Sequence, residues 1–402
     1  MRTILNFVAL SSILFFVSRG QSQSSDGVFD VTKYGAVPGA DISQAVKDAW
    51  KEACASTAQS KLVIPKATYK LSAVELVGPC KSPIEIQLQG TLQAPSDLKG
   101  DGWVSFRYID YFTLTGGGVL DGQGKTAWEK NDCHKNTKCD PIPMTLKLSF
   151  ITNGIVSDVT SKDSKNFHVN VLGCKNLTFQ HFTINAPETS INTDGIHIGR
   201  SVGINVLDTN IATGDDCISL GDGSKQVTIT NVTCGLGHGI SVGSLGRYNA
   251  EEPVEGITVK NCTLINTSNG VRIKTWPSSP VAVTASDMHY EDIIMVNVSN
   301  PILIDQVYCP HNLCNKKSPS KVKISKVSFK NIRGTSGNAL AVKLACSFDH
   351  PCEGVELADI DLTYSGNEGP ITSECINVKP TISGKQNPPA CSSLSPNAAA
   401  SA

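Results

Sequence analysis

Asp194, Asp216 and His238 stand at intervals of 22 residues, and each precedes an isoleucine by two positions (Ile196, Ile218, Ile240). The segments read Asp194-Gly-Ile-His-Ile, Asp216-Cys-Ile-Ser-Leu and His238-Gly-Ile-Ser-Val. Carboxyl and imidazole groups are the side chains best suited to exchange protons near neutral pH. Asp215 adds a third carboxyl beside Asp216. Crowded carboxyls cannot all ionise easily, so one of them should keep its proton into the mildly acidic range. One protonated acid beside one carboxylate is the equipment of glycoside hydrolysis. The acid protonates the leaving oxygen, and the carboxylate activates water or attacks the sugar. Gly214-Asp215-Asp216 is also ordinary turn chemistry, so the spacing carries the argument more than the residue types do.

Arg272 and Lys274 alternate with Val271 and Ile273, which puts both cations on one outward face of a strand. An arginine holds a carboxylate bidentately and a lysine holds it as a point charge, so the pair suits an anionic sugar. The competing reading is a solvated cationic face. His238 lies between Gly237 and Gly239, where the backbone is free to approach a ligand. There is no Cys-x-x-Cys pair and no histidine cluster at ligand spacing, so no metal site is expected.

A fixed period with one small structural unit per period marks a solenoid. Stacked coils lie about 4.8 Å apart, the strand spacing, so residues at equal offsets line up on one face. The core ladder Ile196, Ile218, Ile240, Val271 and Ile302 continues the register, with longer intervals that leave room for loops. A second ladder is expected through Ile204, Ile229 and Ile257. Short alternating runs such as Ile84-Glu-Ile-Gln-Leu indicate strands with one face in the core. Coils this short leave no space for crossover helices. The expected fold is therefore all-β: a single right-handed parallel β-helix. A leucine-rich repeat would need Leu at several fixed offsets. Residues Ser43 to Ala55 have helical spacing (Ala45, Ala49, Ala53; Val46, Trp50) and suit a short N-terminal capping helix.

Residues 1–20 read as a secretory signal peptide, with Arg2, an apolar run from Ile4 to Val17, and a polar stretch after Gly20. Residues 21–391 are expected to form one β-helix domain, and 392–402 a disordered Pro/Ser/Ala tail. The 14 cysteines then imply disulfides. Cys133/Cys139, Cys309/Cys314 and Cys346/Cys352 look like loop staples, and Cys217 with Cys234 can brace adjacent coils. Sequons at Asn176, Asn231, Asn261, Asn266 and Asn297 fit the secretory route, with some expected on buried ladders. The formal net charge of −1 argues against nucleic-acid binding by a basic surface. No later apolar run is long enough to span a membrane. A monomeric, secreted extracellular protein is expected.

Asn192-Thr-Asp194, Gly214-Asp215-Asp216, Gly237-His238-Gly239 and Arg272-Ile-Lys274 stand on successive coils. With these four motifs in order, the sequence resembles the polygalacturonases of glycoside hydrolase family 28 over the whole mature chain. Gly369-Pro-Ile-Thr-Ser-Glu374-Cys375 is similar to the plant pollen-type exo-acting members. The resemblance implies a cofactor-free, inverting hydrolase of α-1,4 bonds in polygalacturonate (pectin), exo-acting from the non-reducing end. It implies Asp215 as the general acid, Asp194 and Asp216 as water-positioning bases, and His238 as the acid's hydrogen-bond partner. Asn192, Arg272, Lys274 and Tyr308 are its substrate-binding positions, although Tyr308 can equally pack the loop at Cys309. Asp194 and Asp216 on adjacent coils would lie about 5 Å apart, nearer the retaining than the inverting spacing. Endo action, a rhamnogalacturonan hydrolase, a calcium-dependent pectate lyase and a silent pectin-binding wall protein stay open. Insertions near Cys133–Cys139 and Cys309–Ser320 are the candidates for blocking the cleft in an exo enzyme.

Overall fold

The computed structural model describes residues 27–391 apart from 134–135 and 137–138. The expected signal peptide (1–20) and the tail (392–402) lie outside the described residues.

The chain winds into a parallel β-helix. A sheet of 11 strands forms one face of the solenoid. Its middle strands are Ile196–Gly199, Ile218–Leu220, Ile240–Leu245, Asn269–Thr275 and Asn300–Asp305, each paired in parallel with the next. Each coil then continues through two further strands, as in Val202–Leu207 and Asn210–Ala212. The corner between those two strands needs a left-handed residue. Asp208, Asn231 and Asn261 supply it with φ of 48°, 56° and 54°, a region that Asn and Asp tolerate better than other side chains. The corners also stack: Asn231 Nδ2 donates to Asp208 Oδ1 at 2.6 Å.

The ladder Ile196–Ile218–Ile240–Val271–Ile302 forms as expected, and no member is more than 1% exposed. It extends back through Val169, Leu146 and Val104 and onward to Val342. The second ladder differs by two residues. Ile204 pairs with Val227 and Val227 with Ile257, whereas Ile229 pairs with Val206 and Val259. A slip of two keeps every side chain on the same face, so equal apolar residues two apart concealed the true register.

The helix over Ser43–Ala55, here α1, buries the expected Ala45, Val46, Ala49, Trp50 and Ala53. It packs on the first strands, Val28–Asp30, Ser60–Ile64 and Val74–Val77, and covers the apolar end of the solenoid. All five sequon asparagines are exposed, at residues of positive φ rather than on buried ladders.

The three loop staples form as expected, and Cys54–Cys80 and Cys375–Cys391 also pair. Cys174 and Cys262 are free and buried. The expected Cys217–Cys234 bond forms, with Cα atoms 5.8 Å apart. It closes one coil rather than bridging two, and it sits directly behind Asp216. Closing a loop of this size contributes about 3 kcal/mol in the chain-entropy account. The double variant Cys217→Ser/Cys234→Ser should lose about that much in urea unfolding, with an m-value no lower than that of wild type. A loss near zero would mean the coil is held by its ladders alone.

Candidate active site

The carboxyl groups sit just before the strands, not in them. Residues 213–217 are an irregular, bending segment, and the strand begins at Ile218. Asp215 and Asp216 therefore escape the strand alternation that would have sent them to opposite faces. Behind the bends, Thr193 Oγ1 accepts from Thr213 Oγ1 at 2.8 Å and from Gly214 N at 3.1 Å. Ser190 Oγ lies 2.7 Å from the same hydroxyl. One carboxylate oxygen from each of Asp215 and Asp216 and one ring nitrogen of His238 lie within 4.8 Å of one another. The two glycines beside His238 admit neighbouring coils, not a ligand as expected. A Cβ at Gly237 would come within 2.2 Å of Asp215 O, and one at Gly239 within 2.1 Å of Asn269 O.

Asp216 is 2% exposed and accepts from Lys274 Nζ at 2.7 Å, Arg272 Nη2 at 2.8 Å and Ser241 Oγ at 2.9 Å. Burial alone would raise its carboxyl, but Lys274 and then Arg272 outweigh burial and hold it down at about 2. Asp194, 6% exposed, accepts from Ser219 Oγ at 2.7 Å and from no other side chain among the described residues. Its burial, followed by the charges of Asp215 and Asp216, pushes its carboxyl well above the usual range. Asp215 is the more open of the three, its side chain 24% exposed, and its Oδ1 accepts from His238 Nδ1 at 2.9 Å and Asp216 N at 2.7 Å. The neighbours thus split the two buried carboxyls, with Asp194, expected as a base, pushed toward its protonated form and Asp216 held ionised.

Arg272 and Lys274 are 8% and 7% exposed, so they are no solvated face. Their first partner is Asp216, and only their remaining N–H groups are available to a substrate. Those groups, with two positive charges against Asp216, also make the Asp215/Asp216/His238 cluster a poor cation site. Tyr308 lies over both, its ring 5.3 Å from Lys274 Nζ and 6.0 Å from Arg272 Cζ, and packs edge-on to Trp276 at 5.5 Å. The insertion that follows Tyr308 packs on the 275–280 loop, with Ser320 Oγ 2.8 Å from Thr275 Oγ1. On the other side, Asn192 Nδ2 donates to Asn166 Oδ1 at 2.6 Å, and Asn166 Nδ2 donates to Ile142 O at 3.0 Å. Ile142, which follows the Cys133–Cys139 loop in sequence, is thus linked to Asn192 through Asn166, and the segment after Tyr308 is tied to the end of the Arg272/Lys274 strand.

His197, Ser219 and Ser241 were not among the expected site residues. They form one outward row that ends at Arg272. The signal was present: each follows Asp194, Asp216 or His238 by three positions.

With this geometry in view, the comparisons with known proteins are informative. The profile of Glycosyl hydrolases family 28 matches residues 54–390. The chain belongs to that family. An exopolygalacturonase of Oenothera organensis is 62% identical, with 89% of this chain and 100% of that protein covered. A polygalacturonase of Nicotiana tabacum is 57% identical over 94% of this chain and 95% of that one. Among solved structures, endo-xylogalacturonan hydrolase of Aspergillus tubingensis superposes with a TM-score of 0.75 at 25% identity, covering 89% of this chain and all of that one. A Thermotoga maritima exopolygalacturonase shares the fold at a TM-score of 0.74 and 16% identity, covering 89% and 90% of the two chains.

Lys274→Met would leave Asp216 a buried carboxylate short of one partner, and breaking such a pair costs about 3–5 kcal/mol. The Asp216 carboxyl is depressed, so its contribution to stability is full above about pH 4 and fades as pH falls toward about 2. Urea unfolding should therefore show a large gap between variant and wild type at neutral pH that narrows in acid. A gap independent of pH would assign the loss to something other than this ion pair.

Proposed function

We propose that this protein is a secreted polygalacturonase that hydrolyses α-1,4-galacturonosidic bonds in pectin, with inversion, from the non-reducing end. The observation that supports it most directly is one cleft holding three differently partnered carboxyls beside Arg272 and Lys274. Asp215, the most open of them and bonded to His238, is the general acid that protonates the leaving oxygen. A water bonds to the anomeric carbon from the opposite face and gives its proton to a carboxylate deeper in the cleft. The remaining N–H groups of Arg272 and Lys274, with Tyr308 above them and Asn192 at the other edge, hold the anionic sugar. The exo assignment is supported by relatives named exopolygalacturonases at 62% and 55% identity. Six disulfides fit an oxidising compartment, and the substrate places the enzyme in the cell wall. No helix among the described residues is long and apolar enough to cross a membrane. A monomer without metal or organic cofactor suffices for this chemistry.

Asp215→Asn should lower kcat by about 10²–10⁴-fold, the range for a lost general acid, with an unchanged circular dichroism spectrum. Near-normal turnover would remove Asp215 from that role. Products resolved by chain length should be monogalacturonate alone from the first minutes, with or without EDTA. A spread of oligomers would establish endo action, an ultraviolet-absorbing unsaturated product a lyase, and binding without release a wall protein.

A further inference from the structure

The outward row His197, Ser219, Ser241 and Arg272 carries two hydrogen-bond chains of one design. In the first, His197 Nδ1 lies 2.7 Å from Ser219 Oγ, which lies 2.7 Å from Asp194 Oδ2. In the second, Arg272 Nε donates to Ser241 Oγ at 3.0 Å, and that hydroxyl donates to Asp216 Oδ1 at 2.9 Å. Each carboxyl thus hangs from a serine of the following coil, and a row neighbour stands behind each serine.

What stands behind the serine decides what the chain can do. Arginine only donates. Ser241 must accept from Arg272, so its proton goes to Asp216, and that chain serves an ionised Asp216 alone. A neutral imidazole donates from one nitrogen and accepts at the other. With its proton on Nδ1, His197 donates to Ser219 and Ser219 donates to an ionised Asp194. With its proton on Nε2, the chain runs in reverse, and a protonated Asp194 donates to Ser219. Burial keeps His197 neutral by pulling it down to about 4. The ring is held in place by Phe167, whose centroid is 5.2 Å away, and by Gly221, where a Cβ would come within 3.3 Å of Cε1 and Nε2. Among the described residues Asp194 Oδ1 finds no hydrogen-bond partner, and it is not sealed from solvent.

We propose that His197, acting through Ser219, is a positioning residue that lets Asp194 rather than Asp216 take up and release the proton of each turnover. The proposal rests on the hydrolase reading above. The water oxygen bonds to the anomeric carbon and its proton passes to Asp194. The glycosidic carbon–oxygen bond breaks, and the leaving oxygen takes the proton of Asp215. Asp194 then returns its proton to solvent, and Asp215 regains one from solvent. Asp216 stays ionised throughout as the counter-charge of Arg272 and Lys274. The charged groups facing Asp194 are Asp215, Asp216 and Lys274; those facing His197 are Asp216, Lys274 and Asp222.

The test is kcat and KM against pH on polygalacturonate for wild type, Ser219→Ala, Ser219→Thr, His197→Phe and Ser241→Ala. Ser219→Ala and His197→Phe should each lower kcat about tenfold or more, in the range of a disturbed base, with KM changed less than about twofold. Both should move the acid limb of kcat to higher pH, because the ionised Asp194 loses its donor in Ser219→Ala and the donor loses the group that orients its proton in His197→Phe. Ser219→Thr should restore the limb. Ser241→Ala should lower the rate without moving it, since Lys274 and Arg272 still hold Asp216. Circular dichroism checks folding, and His197→Phe, which keeps a packed ring, decides if Ser219→Ala does not fold. An unmoved limb in His197→Phe, or an equal shift in Ser241→Ala, overturns the proposal. A wild type that releases no reducing ends overturns the hydrolase reading instead.

Discussion

The ion cluster around Asp216 is the interaction on which the site depends. A carboxylate only 2% exposed cannot stay ionised without close positive partners. Its two partners come from 56 and 58 residues further along the chain. Both must arrive on the outward face of their strand at the correct coil. A slip of one residue would turn Arg272 and Lys274 into the apolar core and bring Val271 and Ile273 out. The register of the solenoid and the charge state of the site are therefore the same constraint.

The β-helix meets that constraint by dividing labour along each coil. Inward positions carry Ile and Val, whose branched side chains pack coil against coil. Outward positions one residue away carry His197, Ser219, Ser241 and Arg272 at the strand spacing. The bends before the strands carry Asp194, Asp215, Asp216 and His238, where no alternation dictates direction. Glycine is needed at Gly237 and Gly239, because the carbonyls of the next coils occupy the place of a Cβ. The hydroxyls of Ser190, Thr193 and Thr213 fix the bends that the ladder leaves unrestrained.

Much of this was legible in the sequence, and the reasons differ by element. The interval of 22 residues gave the main ladder, because Asp194, Asp216 and His238 recur beside isoleucine without insertion. The cap α1 was legible from its alanine spacing. The second ladder was misread at Ile229, since Val and Ile two residues apart are interchangeable in an apolar core. The cations were found but their first partner was not, because a sequence shows that Arg272 and Lys274 share a face without showing what lies across the coils. His197, Ser219 and Ser241 carried the same offset of three as the residues that were noticed. They were passed over because Ser and His at strand positions look like ordinary surface residues until their neighbours on the next coil are known.

Asp194 and Asp216 are both nearly buried, at 6% and 2% exposure, yet burial does not explain their opposite behaviour. Desolvation raises both. The split comes from what each faces: two cations in one case, two carboxylates and a neutral imidazole chain in the other. The consequence is geometric as well as electrostatic. A water between acid and base in an inverting hydrolase needs the two carboxyls about 6.5–9.5 Å apart. Asp215 and Asp216 have oxygens within 4.8 Å, too close for that water. Asp216, pinned by Lys274 and Arg272, keeps its charge, whereas Asp194 holds a proton more readily than an ordinary aspartate.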